Sequence, residues 1–170
     1  MALQIRTEVI RPEQLHPGRA GSSNPEAQDA YLRARDVLRR GDNIRGSFDL
    51  FQLAILKDPH FAVAYAELPF GLMLAGGFLP ADQGLAQWRA AASRALELDP
   101  NLSQAHLSYA SLLGYHDWNW LEADREYKTA LRLNPSLARA HRSYGMGKSA
   151  YILFCGRERC EDRQRDELAL

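Results

Sequence analysis

Three prolines constrain this chain more than any other feature. Ala54-Ile-Leu-Lys-Asp-Pro59 recurs as Ala95-Leu-Glu-Leu-Asp-Pro100 and as Ala130-Leu-Arg-Leu-Asn-Pro135, so the prolines stand 41 and then 35 residues apart. A proline disfavours the α region for the residue before it, so an amphipathic run must end at Asp58, Asp99 and Asn134. The alanine five residues before each proline is small enough to let two helices approach closely. A chain with this period repeats one supersecondary unit and stacks the copies, because a single unit cannot bury its own apolar face.

Downstream of each proline a second pattern recurs: Ala64-Tyr65-x-x-Leu68, Ala105-His106-x-x-Tyr109-Ala110 and Ala140-His141-x-x-Tyr144-Gly145. Apolar or aromatic residues at i, i+3 and i+4 share a helix face. Ala30-Tyr31-Leu32-x-Ala34 supplies the same face ahead of the first proline. The unit is therefore a helix, a turn, a second helix and a proline-marked exit. The periodicity predicts helices over about 25–40, 43–57, 61–75, 82–98, 102–115, 120–133 and 137–154, with Asn24 as N-cap and Pro25 at the first helical position. Residues 1–23 read as a leader whose Pro12, Pro17, Gly18, Gly21, Ser22 and Ser23 mark a linker.

These motifs resemble the tetratricopeptide (TPR) repeat, a helix–turn–helix unit with aromatic, small and terminal proline positions. In the first repeat Ala34, Gly41, Ser47, Phe51, Ala54 and Pro59 fall on motif positions; in the second, Tyr65, Leu68, Leu72, Ala95 and Pro100; in the third, His106, Ala110, Ala123, Tyr127, Ala130 and Pro135. Pro69 and Trp88 stand where the family usually has small residues, and the extra length of the second repeat falls at 76–82. The resemblance covers roughly Asn24 to Gly145. It implies an all-α, right-handed α-solenoid: residues 24–150 hold three repeats plus the first helix of a fourth, and 151–170 form a divergent mixed-charge tail. Within the family it is closest to arrays in multidomain bacterial signalling and transcription regulators. The residues that carry this are Asn24-Pro25-Glu26-Ala27, Tyr31-Leu32 and the turn Asp117-Trp118-Asn119-Trp120.

Composition narrows the function. With 21 Lys+Arg against 21 Asp+Glu there is no global field to hold a nucleic acid or an anionic bilayer, so neither is expected as a partner. The longest uncharged run, between Glu67 and Asp82, is 14 residues, short of the roughly 20 a membrane span needs. Arg6, Glu8 and Arg11 interrupt the first apolar stretch, so no secretory leader is read. Cys155 and Cys160 do not form a disulfide framework, and the expected location is cytoplasmic.

Two thiols do not complete a zinc site, so no metal is expected. Gly145-Met-Gly147-Lys-Ser-Ala150 matches a dinucleotide string, but it follows a predicted helix where the fold needs a strand; Arg142 stands where a phosphate loop needs glycine. His106 and His141 hold equivalent places and are expected to pack between helices, while His16, His60 and His116 look solvent-facing. No catalytic string appears, so the chain reads as a non-enzyme without cofactor.

The resemblance implies that the first helix of each repeat lines a concave groove. Carried over by position, that face shows Gln28, Arg35 and Arg39; Val63, Phe70 and Met73; Gln104, Leu107 and Ser111; and Arg139, Arg142 and Met146. Arginines flank an apolar middle, which suits a peptide or helix with carboxylates around an apolar anchor. A solvated arginine face is the alternative for these residues. For the chain as a whole the alternative role is structural, with self-association through the apolar C-terminal end of the array.

Overall fold

A computed structural model describes residues 21–41, 43–74 and 81–155. It has seven helices in those residues and no strand: α1 Pro25–Arg40, α2 Ile44–Lys57, α3 Ala62–Leu74, α4 Ala81–Leu98, α5 Ser103–Tyr115, α6 Trp120–Leu133 and α7 Ala138–Cys155. Each helix lies within a residue or two of its expected span. The insertion expected at 76–82 falls almost wholly outside the described residues, as do the segments 1–20 and 156–170 and the side chain of Cys155.

Local chemistry explains the ends. Asn24 Oδ1 accepts from the N–H groups of Glu26 and Ala27 at 2.9 and 3.3 Å, and Pro25 follows at N1. Gly41 closes α1 at φ 74°, the left-handed region glycine enters without penalty. The three exits are built alike. The N–H groups of Asp58, Asp99 and Asn134 donate to the carbonyls of Ala54, Ala95 and Ala130 at 2.9–3.0 Å. Each side chain then accepts from the N–H two residues on, His60, Asn101 and Ser136, at 3.0, 3.0 and 3.1 Å. The proline stops the helix, and this Asx turn aims the chain into the next one.

Consecutive helices pair as α1 with α2, α3 with α4 and α5 with α6, and each pair stacks on the next through α2–α3, α4–α5, α3–α5 and α5–α7. That nearest-neighbour pattern is a solenoid of helical repeats. Ala54, Ala95 and Ala130 are fully buried, as are Phe51 and Tyr127 at the second-helix aromatic position. Tyr31 packs tilted on Phe51 and Phe61 at 6.0 and 5.1 Å. Trp88 is buried and donates Nε1–H to the Ser108 carbonyl at 3.1 Å, so the indole fits where a small residue was expected by supplying its own polar link to α5. Arg89 grips Asp117 with both terminal nitrogens, at 3.0 and 2.7 Å, fixing the turn in which exposed Trp118 sits at φ 54°.

The glycine string of α7 is helical throughout, and Gly147 has a packing role: a Cβ there would come within 2.9 Å of the Trp120 ring, which also lies 3.0 Å from a Cβ built on Gly114. His106 and His141 each bond through Nε2 to the carbonyl of the exit proline six residues earlier, Pro100 and Pro135, at 2.8 Å. His106 also reaches Glu126 through Nδ1 at 2.6 Å, whereas His141 is exposed because no described helix follows α7. His60 and His116 are exposed.

Candidate functional site

The first helices of the repeats line a cavity of about 810 Å³. Every lining residue comes from α1, α3, α5 or α7, and within each helix the contributors follow helical spacing: Leu32, Arg35, Asp36 and Arg39; Glu67 and Phe70; Ser111 and Tyr115; Arg139, Arg142, Ser143 and Met146, with Leu38 beside the first set.

Of the residues expected on this face, Arg35, Arg39, Phe70, Ser111, Arg139, Arg142 and Met146 line the cavity. Gln28 and Gln104 do not. Both sit in the first turn of their helices, where Gln28 Oε1 accepts from the Ser22 N–H at 3.2 Å and Gln104 Oε1 from the Ser103 hydroxyl at 2.9 Å. Val63 and Leu107 are core residues at 2% and 0% exposure. The Met73 side chain lies outside the described residues.

Sequence reasoning missed Leu32, Asp36, Leu38, Glu67, Tyr115 and Ser143. Extending each helix face by three or four residues finds Leu32, Asp36, Glu67, Tyr115 and Ser143. The equivalent positions 35, 70, 111 and 146, seven residues after the first-turn ones, all face the cavity.

The arginines do different work. Arg139 forms a two-pronged pair with Glu67, Nη2 donating to Oε1 at 2.9 Å and Nη1 lying 2.7 Å from Oε2. Its guanidinium carbon stacks 4.3 Å from the centre of the Phe70 ring. Glu67 is 2% exposed and Phe70 4%, so this cluster is cavity floor, and Phe70 is not the open anchor seat the sequence suggested. Arg39 and Arg40 share Asp36 at 2.5 and 2.6 Å, and the bond from Arg39 holds the Asp36 carboxyl below its usual range.

Arg35 lies 5.7 Å from the Tyr31 ring centre, and neither Arg35 nor Arg142 has a carboxylate partner among the described residues. Burial pushes Tyr31 up to about 12, with the nearby Glu67 carboxylate adding to it, so its hydroxyl stays neutral. Tyr115 donates to the Ser143 carbonyl at 3.1 Å and Ser111 to the Leu107 carbonyl at 2.8 Å, so both walls are fixed. Leu32 and Met146 are 51% and 60% exposed on the rim. Four guanidinium groups face two carboxylates here, an excess of two positive charges. No cluster of His, Cys, Asp and Glu able to hold a metal occurs among the described residues, and no described helix is long and apolar enough to cross a membrane.

No protein-family profile matches the chain, and no curated protein does. Solved structures do. The first TPR of Spaghetti (RPAP3) bound to the HSP90 peptide SRMEEVD is similar over 79% of this chain and 99% of that one, at 14% identity and a TM-score of 0.58. The Sgt2 TPR domain from Aspergillus fumigatus is similar over 78% of this chain and 83% of its own, at 14% identity and a TM-score of 0.59. The fold of the described residues is that of TPR domains.

Proposed function

We propose that the chain is a non-catalytic scaffold that binds an acidic segment of a protein partner in the cavity of α1, α3, α5 and α7. The observation that carries this reading is a pair of arginines, Arg35 and Arg142, which line the cavity without a carboxylate partner among the described residues, together with the exposed apolar side chains Leu32 and Met146. A guanidinium holds a carboxylate by two parallel bonds, so the cavity suits a segment with acidic groups beside an apolar anchor. The apolar anchor lies against Leu32 and Met146, above Phe70. The RPAP3 domain of similar fold is bound to a peptide with Glu-Glu-Val-Asp at its end, which has this composition. The Asp117-Trp118-Asn119-Trp120 turn and the Asn24-Pro25-Glu26-Ala27 start support a place in a cytoplasmic bacterial regulator.

Selection from a phage-displayed peptide library tests the reading. Enriched sequences pair Asp or Glu with an apolar residue, and Arg35→Ala with Arg142→Ala weakens them at least about tenfold, the scale of one lost charge-assisted contact. Enrichment of sequences without acidic residues, or binding indifferent to both substitutions, refutes it.

A second reading, self-association, draws on one observation. A Cβ at Gly145 meets nothing within 4 Å, whereas the equivalent Ala34 and Ala110 are fully buried by the helix that follows each. Light scattering across a dilution series separates a monomer from such an assembly.

A further inference from the structure

Two stripes of side chains meet where α6 packs on α7. Each reads aromatic, charged, aromatic at i, i+4 and i+7: Trp120, Asp124 and Tyr127 on α6, and Tyr144, Lys148 and Tyr151 on α7. Together they line a pocket of about 50 Å³. It shares no lining residue with the larger cavity, because α7 turns Arg139, Arg142, Ser143 and Met146 to that cavity and its other stripe to this pocket. We propose that this second pocket is a cage for a trimethylammonium head group, with the cation against the rings of Trp120, Tyr144 and Tyr151 beside the Asp124 carboxylate.

The rings come in two contacting pairs, Tyr127 with Tyr144 at 5.3 Å and 33°, and Trp120 with Tyr151 at 5.6 Å and 45°. Aromatic faces carry the negative side of the ring quadrupole, which attracts a cation within about 6 Å of the ring centre. The walls are in place before a ligand arrives. Gly114 and Gly147 bracket Trp120, where a Cβ on either would come within 3.0 and 2.9 Å of the indole, and Tyr127 is buried behind it. Tyr144 donates its hydroxyl to Asp124, and Lys128 Nζ lies 2.5 Å from the other carboxylate oxygen. Burial opposes ionisation of Asp124, but these two contacts outweigh it and hold the carboxyl below its usual range, so it is an anion at neutral pH.

The chain's own cation already uses one wall: Lys148 Nζ lies 4.6 Å from the centre of the Tyr144 ring, at the end of an exposed side chain. A free ammonium is strongly hydrated and gives up much of that hydration to rest on a ring. A methylated ammonium has less to give up, so it displaces Lys148 where an unmethylated lysine gains nothing over it. Size agrees. One water needs about 10–15 Å³ of such space, so 50 Å³ admits about four heavy atoms, as many as a nitrogen and its three methyl groups.

The test titrates the full chain with acetylated Nε-trimethyllysine amide, its unmethylated parent, and the neutral analogue in which carbon replaces the charged nitrogen. The Trp120 indole signal, assigned with Trp120→Phe, and the ring-current shift of the ligand methyl protons are followed by NMR. The trimethylated compound moves Trp120, has its methyl signal shifted upfield, and binds at least about tenfold more tightly than either of the other two. Lys148→Gln, a change at an exposed position, tightens it further by about threefold, and Tyr151→Leu abolishes its advantage over the neutral analogue. Choline, run alongside, identifies the source of the head group: equal affinity points to a free small molecule and weaker affinity to a lysine side chain of a partner, and both support the cage.

A neutral analogue that binds as tightly overturns the proposal in favour of a merely apolar pocket, as does an unmoved Trp120 signal at millimolar ligand. Unchanged or weaker binding by Lys148→Gln overturns the placement of the head over Tyr144. The ligand comparison is made in the parent chain, so it decides the matter even where Tyr151→Leu fails to fold.

Discussion

Replacing Arg139 with methionine tests the polar floor of the cavity most directly. The Glu67 carboxylate is 2% exposed, and the one guanidinium that neutralises it comes from 72 residues away. Removing that partner leaves a buried charge without compensation, a change that costs about 3–5 kcal/mol. The Arg139 side chain is itself 25% exposed toward the cavity, so water enters once it is gone and the lower end applies, about 3 kcal/mol. At roughly 2–4 °C per kcal/mol for a chain this long, the melting temperature falls by roughly 6–12 °C. Far-ultraviolet circular dichroism during thermal and urea unfolding measures it.

The companion is the double variant Glu67→Leu with Arg139→Met, which removes both charges and keeps an apolar floor. Replacing both partners of a buried pair is often neutral or stabilising, so the double variant returns to within about 1 kcal/mol of the parent. A single variant costing under about 1 kcal/mol refutes the burial argument. A double variant no better than the single one refutes the orphaned charge as the cause.

Two glycines in one helix move stability in opposite directions. Gly145→Ala enters open space and gains about 0.5–1 kcal/mol from helix propensity, whereas Gly147→Ala drives a methyl into Trp120 at 2.9 Å and loses about 1–3 kcal/mol; denaturation midpoints read both. The Glu126 hydrogen bond raises the His106 pKa above its ordinary 6.5, against some desolvation, so the bond contributes stability that is complete below 6.5 and is lost as pH rises through the raised folded value. Stability profiles of the parent and His106→Gln therefore diverge on the acid side and converge on the alkaline side, and parallel profiles refute the link. Phe70→Ala truncates a 4% exposed ring and costs about 3–5 kcal/mol, so it unfolds rather than selectively unbinds; an unchanged unfolding midpoint would contradict its burial.

The repeats were legible because their signals are local. A proline acts on its neighbour, and an asparagine or aspartate acts on N–H groups two or three residues away, so three exits and the Asn24 cap can be read from adjacent letters. The aromatic and alanine faces obey a period that needs no knowledge of the partner helix. The groove was half legible for the same reason: helical spacing names a face, yet the depth of a residue along its helix decides whether it meets solvent. Gln28, Val63 and Gln104 sit one or two turns too early, while Arg139 at the equivalent place still arrives because its side chain is long. Helical spacing reaches Glu67, but its burial and its pairing with Arg139 were not legible at all. It marks the edge of an uncharged run, and its burial depends on a residue two repeats away. The histidines fall between these cases, since the six-residue spacing from proline is printed in the sequence twice but the carbonyl it serves is invisible there.

The division of labour among the arginines follows from this long-range pair. A ligand carboxylate that took Arg139 would strand Glu67 in the floor, and the attraction gained at the guanidinium would be offset by the desolvation left behind. Arg39 is shared with Arg40 through Asp36, so a ligand there must displace an existing contact. Arg35 and Arg142 have no carboxylate partner among the described residues, and they stand on the first and last of the described helices. A segment that satisfies both must cross the cavity from α1 to α7, whose floor includes the stacked Phe70 and Arg139. In the proposed mode of binding, the internal ion pair therefore leaves Arg35 and Arg142 as the cations open to a ligand, and a ligand with carboxylates at one end only pairs with one of the two.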